Sequence, residues 1–265
     1  MGGIALRINK YLSSCGICSR RMADGLIAGG RIRINGSLAE PGSQVETGDV
    51  VTVDGTAVTL PEAKTYLKFY KPTGVVCTFE KREKNNLTRF LPDQKRVTYA
   101  GRLDKNSEGL LILTDDGDLI QSMMAARNAH EKEYEVTIGS PVTDEFLEQM
   151  RNGVYLPELK RKTRPCRVWK TGERTFRIVL TQGLNRQIRR MCGALGVRVV
   201  ELKRFRVVNI LLGDLQPGES RPLTELEQEA LLRITGRDQK GAAKPGKKQN
   251  TGEGKRKKEQ PGGKL

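Results

Sequence analysis

The residues best equipped for chemistry lie between positions 98 and 120. Arg102 and Asp104 stand two apart after Gly101, with Leu103 between them. In an extended loop, residues two apart project to the same side. A cation and a carboxylate can therefore face one ligand together while Leu103 anchors the loop in the core. The same Arg-x-Asp pair also reads as a surface ion pair beside a hairpin, which is a common feature. A second candidate is Tyr134, in the alternating run from His130 to Ile138. Alternation places it on one face with Val136 and Ile138, so it points inward. There the phenol either stacks on a planar ligand and transfers a proton, or is a core tyrosine with a satisfied hydroxyl. A third candidate is Arg189, beside the apolar stripe Ile188, Met191, Cys192 and Leu195. A partly buried arginine needs an anion, and Asp104 is the natural candidate.

Elements must bring these side chains together. Residues 109–114 are an apolar run of strand length, followed by the turn signal Asp115-Asp116-Gly117-Asp118. Residues 121–126 read as a helix and 141–152 as another, with Thr143 near its start. A strand at 176–180 passes through Gly183 into a helix carrying Arg189, an arrangement that gathers backbone N–H groups and first-turn side chains at one spot. A strand region at 197–208 follows. A last helix runs to about residue 232, with Thr224 as N-cap and Glu227 at the capping-box position. Residues 158–170 read as a basic hairpin, either a phosphate-tracking strip or a charged edge that resists aggregation.

The N-terminal part is different in character. Residues 4–29 read as two short helices, with Ser19 as N-cap and Gly29-Gly30 ending the second. Two short strands with turns follow, at 31–36 and 48–55. Six bases (Arg7, Lys10, Arg20, Arg21, Arg31 and Arg33) and six acids balance over residues 1–62, but the bases crowd the first half. A joint falls near Pro61. Three parts are expected: 1–62, 63–235, and a disordered tail at 236–265, whose residues from 237 hold ten Lys or Arg against three acids.

The whole chain carries +16 over 265 residues, which points to a polyanionic partner, nucleic acid before anionic membrane. No apolar run reaches the roughly 18 residues of a membrane span, and no signal-peptide region opens the chain. A cytoplasmic location is expected. The five cysteines, an odd number, read as reduced thiols. Cys15 and Cys18 lack the further ligands a tetrahedral zinc site needs, because the chain has one histidine, His130. They read as packing residues, and His130 as structural or RNA-facing.

Several motifs carry a resemblance. Gly101 to Asp104 followed by Ser107 to Leu119 resembles the catalytic motif of the RsuA/RluF family of ribosomal RNA pseudouridine synthases. Lys71-Pro72-Thr73-Gly74, Lys132-Glu133-Tyr134 and the string Gly183 to Met191 resemble three more of its motifs, in order. Residues 7–12, 18–21 and 30–36 are similar to an S4 RNA-binding domain. The strings around His130 and Gly183 are closer to the RluF type, which acts on large-subunit ribosomal RNA. The resemblance implies an α+β protein: a small S4-like domain ahead of a mixed, largely antiparallel sheet with flanking helices. It implies isomerisation of uridine to its C-glycoside, with no cofactor and no metal. Asp104, Tyr134 and Arg189 take the catalytic positions, with Arg189 salt-bridged to Asp104. Arg102 fills the space left by a flipped base, and Leu103, Lys105, Asn185, Arg186 and Gln187 hold the RNA around it. Arg7, Lys10, Arg20, Arg21, Arg31 and Arg33 are the expected contacts of the S4-like part. The partner is structured RNA, ribosomal first and transfer RNA as the alternative, and the enzyme is a monomer. The rival reading is a non-catalytic RNA-binding or ribosome-assembly factor, which has no need of Asp104, Tyr134 and Arg189 together.

Overall fold

The computed structural model describes residues 5–80, 82–91 and 97–237. In its first part β1 (Leu6–Arg7) leads into α1 (Ile8–Ser14) and α2 (Arg20–Ala28). Ser19 caps α2 by accepting from the Met22 N–H, which satisfies one of the orphan donors of the first turn. Five short strands follow: β2 (Ile32–Ile34), β3 (Ser37–Leu38), β4 (Gln44–Val45), β5 (Val51–Val53) and β6 (Thr56–Val58). β2, β3, β5 and β6 form one antiparallel sheet, and β4 pairs with β1. Ile8, Leu12, Ala23, Ile27, Ile32 and Val51 make the core beneath them, with Cys15 buried among them.

The larger sheet begins with β7 (Tyr66–Lys71), β8 (Thr98–Ala100) and β9 (Glu108–Thr114). β9 is apolar at consecutive positions because both of its faces are covered. Leu110 and Ile112 pack on one side, Leu111 and Leu113 on the other. α3 (Gly117–Met124) starts earlier than the expected 121–126. Asp116 is the reason: its carboxylate accepts from the Asp118 and Leu119 N–H groups, so the string that reads as a turn is a helix cap. Next come β10 (Lys132–Ile138), α4 (Asp144–Arg151), β11 (Tyr155–Leu156), β12 (Arg161–Lys162), β13 (Arg167–Lys170) and β14 (Thr175–Leu180). The basic segment expected as one hairpin is divided, since β12 pairs with β11 and β13 with β14. α5 (Gln187–Ala194), β15 (Val199–Val207), β16 (Ile210–Leu211), β17 (Ser220–Pro222) and α6 (Glu225–Ile234) complete the described chain, and α6 carries the expected Thr224–Glu227 capping box.

The strand order is β13-β14-β10-β15-β9-β7-β17, with β16 beside β15 and β8 beside β9. β15 and β9 run parallel, with Arg204 opposite Gly109; the other strand pairs of this sheet are antiparallel. The crossing is tight. A Cβ on Gly109 would lie 2.4 Å from the Arg204 carbonyl oxygen, and φ there is +104°, so only glycine fits. Phe146, Met150, Met191 and Cys192 from α4 and α5 pack on Val136, Phe176 and Ile178 of one half of the sheet. Leu119, Met123 and Leu231 from α3 and α6 cover the other half. This is the mixed, largely antiparallel sheet with flanking helices that the sequence implies.

The two parts touch at an ion cluster. Lys10 Nζ donates to both carboxylate oxygens of Asp118, at 2.7 and 2.9 Å, and Arg237 approaches the same group at 3.4 Å. Lys10, expected to face RNA, is thus engaged at the joint. The expected basic tail lies, from residue 238 on, outside the described residues. Among the described residues no helix is long and apolar enough to cross a membrane.

Candidate active site

The turn between β8 and β9 carries Arg102, Leu103, Asp104 and Lys105. Gly101 opens it with φ +82°, against the Met124 side chain of α3. Leu103 is 7% exposed and packs in the core, and its N–H donates to the Cys77 Sγ at 3.4 Å. It anchors the turn from within and also lines the cleft described below. Arg102 and Lys105 are exposed, and Asp104 is partly exposed. The Ser107 N–H donates to the Asp104 carbonyl at 3.1 Å and closes the turn.

Two cations, one buried and one partly buried, brace this turn from below. Lys71 is completely buried. Its ammonium donates to the carbonyls of Pro72, Val75 and Lys105 at 2.7, 2.8 and 3.4 Å. Burial pulls its pKa down to about 8. The Gly74 N–H donates to the same Lys105 carbonyl at 2.7 Å, so the Lys71-Pro72-Thr73-Gly74 string is fastened to the residue after Asp104. On the other side Arg189 donates to the Asn106 carbonyl at 2.6 Å, the Ser107 hydroxyl at 3.5 Å and the Val199 carbonyl at 3.3 Å. Burial, and then the neighbouring Arg186 charge, lower its pKa.

The ion pair expected between Arg189 and Asp104 is replaced by another. Asp104 pairs with Arg186 at 3.9 Å, whereas the Arg189 Nη atoms donate to backbone and a hydroxyl and its Nε has no partner among the described residues. The physical reason is position. Arg189 sits in the first turn of α5, over the 104–107 turn, while Arg186 stands just before the helix in the left-handed region with φ 52°. Gln187 lines the same cleft. It is 4% exposed, and its Oε1 accepts from the Leu184 N–H at 3.1 Å, so it shapes the loop before α5. Asn185 and Arg186 are exposed.

Tyr134 lies on β10 opposite Ile178 of β14 and Arg204 of β15, next to a register shift between Glu133 and Tyr134. It is half-buried and packs against two of the cores. It lines one cleft of about 320 Å³ together with Arg102, Leu103, Asp104, Arg186, Leu202 and Arg204. Lys132, on the same face of β10, lines it too. Burial, then the Arg204 charge, brings the Lys132 pKa down to about 8. A second hollow of about 370 Å³ lies around Cys166 and Arg167, away from Asp104. Its Arg167 and Glu131 are already paired with each other, and burial pushes its thiol up to about 11, so it offers no ready nucleophile.

Sequence reasoning missed Lys132 and Arg204 as cleft residues. The signal was available: if alternation turns Tyr134 inward, it also turns Lys132 inward, and Leu202 and Arg204 share a face of β15 in the same way. In the N-terminal part, Arg7, Arg20, Arg21 and Arg33 are exposed. Arg31 is paired with Asp54 through its Nε at 2.8 Å. His130 is half-buried ahead of β10, and burial, then Lys132, lower its pKa.

Comparison with known proteins bears on this arrangement. Residues 65–194 match the family described as RNA pseudouridylate synthase, and residues 6–51 match the S4 domain. The chain is 46% identical over 232 residues to the dual-specificity RNA pseudouridine synthase RluF of Escherichia coli O157:H7, spanning 87% of this chain and 79% of that one. It is 37% identical to ribosomal large subunit pseudouridine synthase B of Xylella fastidiosa, over 85% of this chain and 50% of that one. A crystal structure of a pseudouridylate synthase superimposes with a TM-score of 0.64 at 29% identity, covering 85% of this chain and 99% of the other.

Proposed function

The chain belongs to the RNA pseudouridine synthase family, and from that premise we propose that it isomerises one uridine of structured large-subunit ribosomal RNA through Asp104. The observation that carries the assignment is the convergence of Asp104 and Tyr134 on one cleft, with exposed Arg102 and Arg186 also lining it. A stacked uridine hides its glycosidic bond, so the nucleotide must first swing out of its helix. Arg102 fills the gap it leaves. Tyr134 packs on the base and serves the proton at C5. Asp104 acts on the sugar or the base, and Arg186 supplies its counter-charge. Arg189 fixes the direction of the carboxylate through the backbone of its turn. Lys105 and Asn185 hold the flanking nucleotides.

Residues 1–62 dock on the RNA backbone through Arg7, Arg20, Arg21 and Arg33, and residues 63–235 carry the reaction. A ribosomal substrate supports a cytoplasmic location. The alternative is the same chemistry on transfer RNA, and the dual specificity in the relative's name is compatible with a second RNA target. The test is a pseudouridine map of total RNA with wild type, with Asp104→Asn and without the protein. Asp104→Asn should lose turnover by a factor on the order of 10⁴ or more while RNA affinity stays within a few-fold. Wild-type turnover in that variant would remove Asp104 from the reaction. A site appearing in transfer RNA alone would replace the ribosomal assignment.

A further inference from the structure

Two buried cations line the cleft with no carboxylate of their own among the described residues. Lys132 is 9% exposed and Arg204 is 2% exposed, and both line the cleft with Asp104 and Tyr134. Arg204 Nε donates to the Leu110 carbonyl at 2.7 Å, but its Nη2 is buried with no hydrogen-bond partner among the described residues. Lys132 Nζ donates to the His130 carbonyl at 3.2 Å. Nearby acids are taken: Glu131 and Glu133 pair with Arg167, Arg177 and Arg206, and Asp104 pairs with Arg186. A buried cation without a counter-charge, and a buried donor without an acceptor, are both unfavourable. Both residues line a site open to ligand, and an acceptor that arrives with the ligand would supply what they lack.

The shape of the cleft says which acceptor. Leu103, Leu180, Leu202 and Ile188 line it beside Tyr134, a set that suits a planar ring better than a phosphate. The exposed cations that suit phosphate are Arg102, Lys105 and Arg186. Uracil offers two carbonyl oxygens. In the isomerisation the N1–C1′ bond breaks and its electron pair stays on the ring, spread over N1, O2 and O4. The ring then turns, C5 bonds to C1′, the C5 proton leaves and N1 takes up a proton, with no net gain or loss of electrons. We propose that Lys132 and Arg204 together receive one uracil carbonyl oxygen and stabilise the negative charge it gains as the glycosidic bond opens. The proposal rests on the uridine isomerisation assigned above. It gives the pair the task of an oxyanion receptor: fixed donors, in a site shielded from water, aimed at charge that develops during the reaction.

The test is a cycle between enzyme and substrate. Single-turnover rates are measured for wild type, Lys132→Gln and Arg204→Lys on a target carrying uridine, 2-thiouridine or 4-thiouridine, because sulfur is the poorer acceptor. On uridine, Lys132→Gln should slow the reaction on the order of a hundredfold, the scale of losing one oxyanion donor, with RNA affinity within a few-fold. One of the two thio substitutions should slow wild type about tenfold and slow each variant far less, because the contact is already lost. Losses that simply multiply at both sulfur positions in both variants would overturn the proposal. Arg204→Lys keeps the charge and guards against a merely unfolded Lys132→Gln, and thermal melts establish that both are folded. A wild type that isomerises no uridine would sink the assigned activity and this proposal with it, whereas an active wild type with multiplying losses sinks the proposal alone.

Discussion

Replacing Lys71 by Met tests whether a buried ammonium holds the Asp104 turn. The side chain is 0% exposed, and burial draws its pKa from 10.5 to about 8. Met fills similar space but strands the Pro72 and Val75 carbonyls, at about 1–3 kcal/mol each. The Lys105 carbonyl keeps the Gly74 N–H. Relief of the buried charge offsets part of that loss, so stability at one pH says little. The dependence on pH is cleaner. The folded pKa lies below the unfolded one, so between pH 8 and 10.5 the unfolded chain keeps a proton that the folded chain releases. Stability from this group therefore rises with pH across that window. With these values it grows by about 1 kcal/mol between about pH 7 and about pH 9. Buried thiols work the other way above about pH 9, since burial pushes Cys166 up to about 11 and Cys192 up to about 12, but they are common to both proteins and cancel in the difference. Urea midpoints at the two pH values should show wild type gaining that amount relative to Lys71→Met. Parallel pH dependences would refute the buried, depressed ammonium. The variant should also react at least about tenfold more slowly, because a small displacement of a reacting group is costly; an unchanged rate would deny Lys71 any part in placing Asp104.

Three further outcomes follow from the site. Arg102→Ala should slow turnover most on a paired target and recover on an unpaired one, where flipping costs a few kcal/mol less; equal losses on the two RNAs would leave Arg102 only a phosphate contact. Arg189→Ala should reduce the rate and lower the melting temperature, since it frees the Asn106 and Val199 carbonyls, whereas Arg186→Ala should shift the pH profile of the rate with little change in melting; the reverse pattern would restore the expected Arg189–Asp104 pair. Changing Arg7, Arg20 and Arg21 together to Gln should flatten the plot of log affinity against log salt by about two to three units. Lys10→Gln should leave that slope nearly unchanged, and an equal drop would mean that Lys10 leaves Asp118 for RNA.

How much of this was legible in the sequence depends on whether the information was local. The Ser19 and Thr224 caps, the apolar run of β9 and the alternation of β10 are statements about neighbours in the chain, and the structure follows them. The Asp115–Asp118 string was misread because an acid-rich turn and an N-cap use the same residue types. Only the amphipathic pattern beyond decides between them, and it begins at Leu119. The basic segment was misread as one hairpin because charge pattern does not choose a strand's partner, and β14 presents a longer edge to β13 than β12 does.

The site divides along the same line. Motif order brings Asp104 and Tyr134 to one cleft. Which guanidinium meets the carboxylate is settled by about one helical turn, the interval from Arg186 to Arg189, and by the left-handed residue that precedes α5. No pattern of residue types encodes that choice. Lys10 was assigned to RNA from its neighbours in sequence, but its partner Asp118 is 108 residues away. The clearest case is the pair Lys132 and Arg204. Each was visible as an inward position of its own strand, yet neither strand shows that the other brings a second cation. That follows only when β10 lies antiparallel to β15, with Tyr134 opposite Arg204, and Gly109 lets β9 approach closely enough for Leu110 to hold the Arg204 Nε. The glycine required by packing thus also fixes the guanidinium beside the cleft, which ties the tightest crossing in the sheet to the chemistry at its edge.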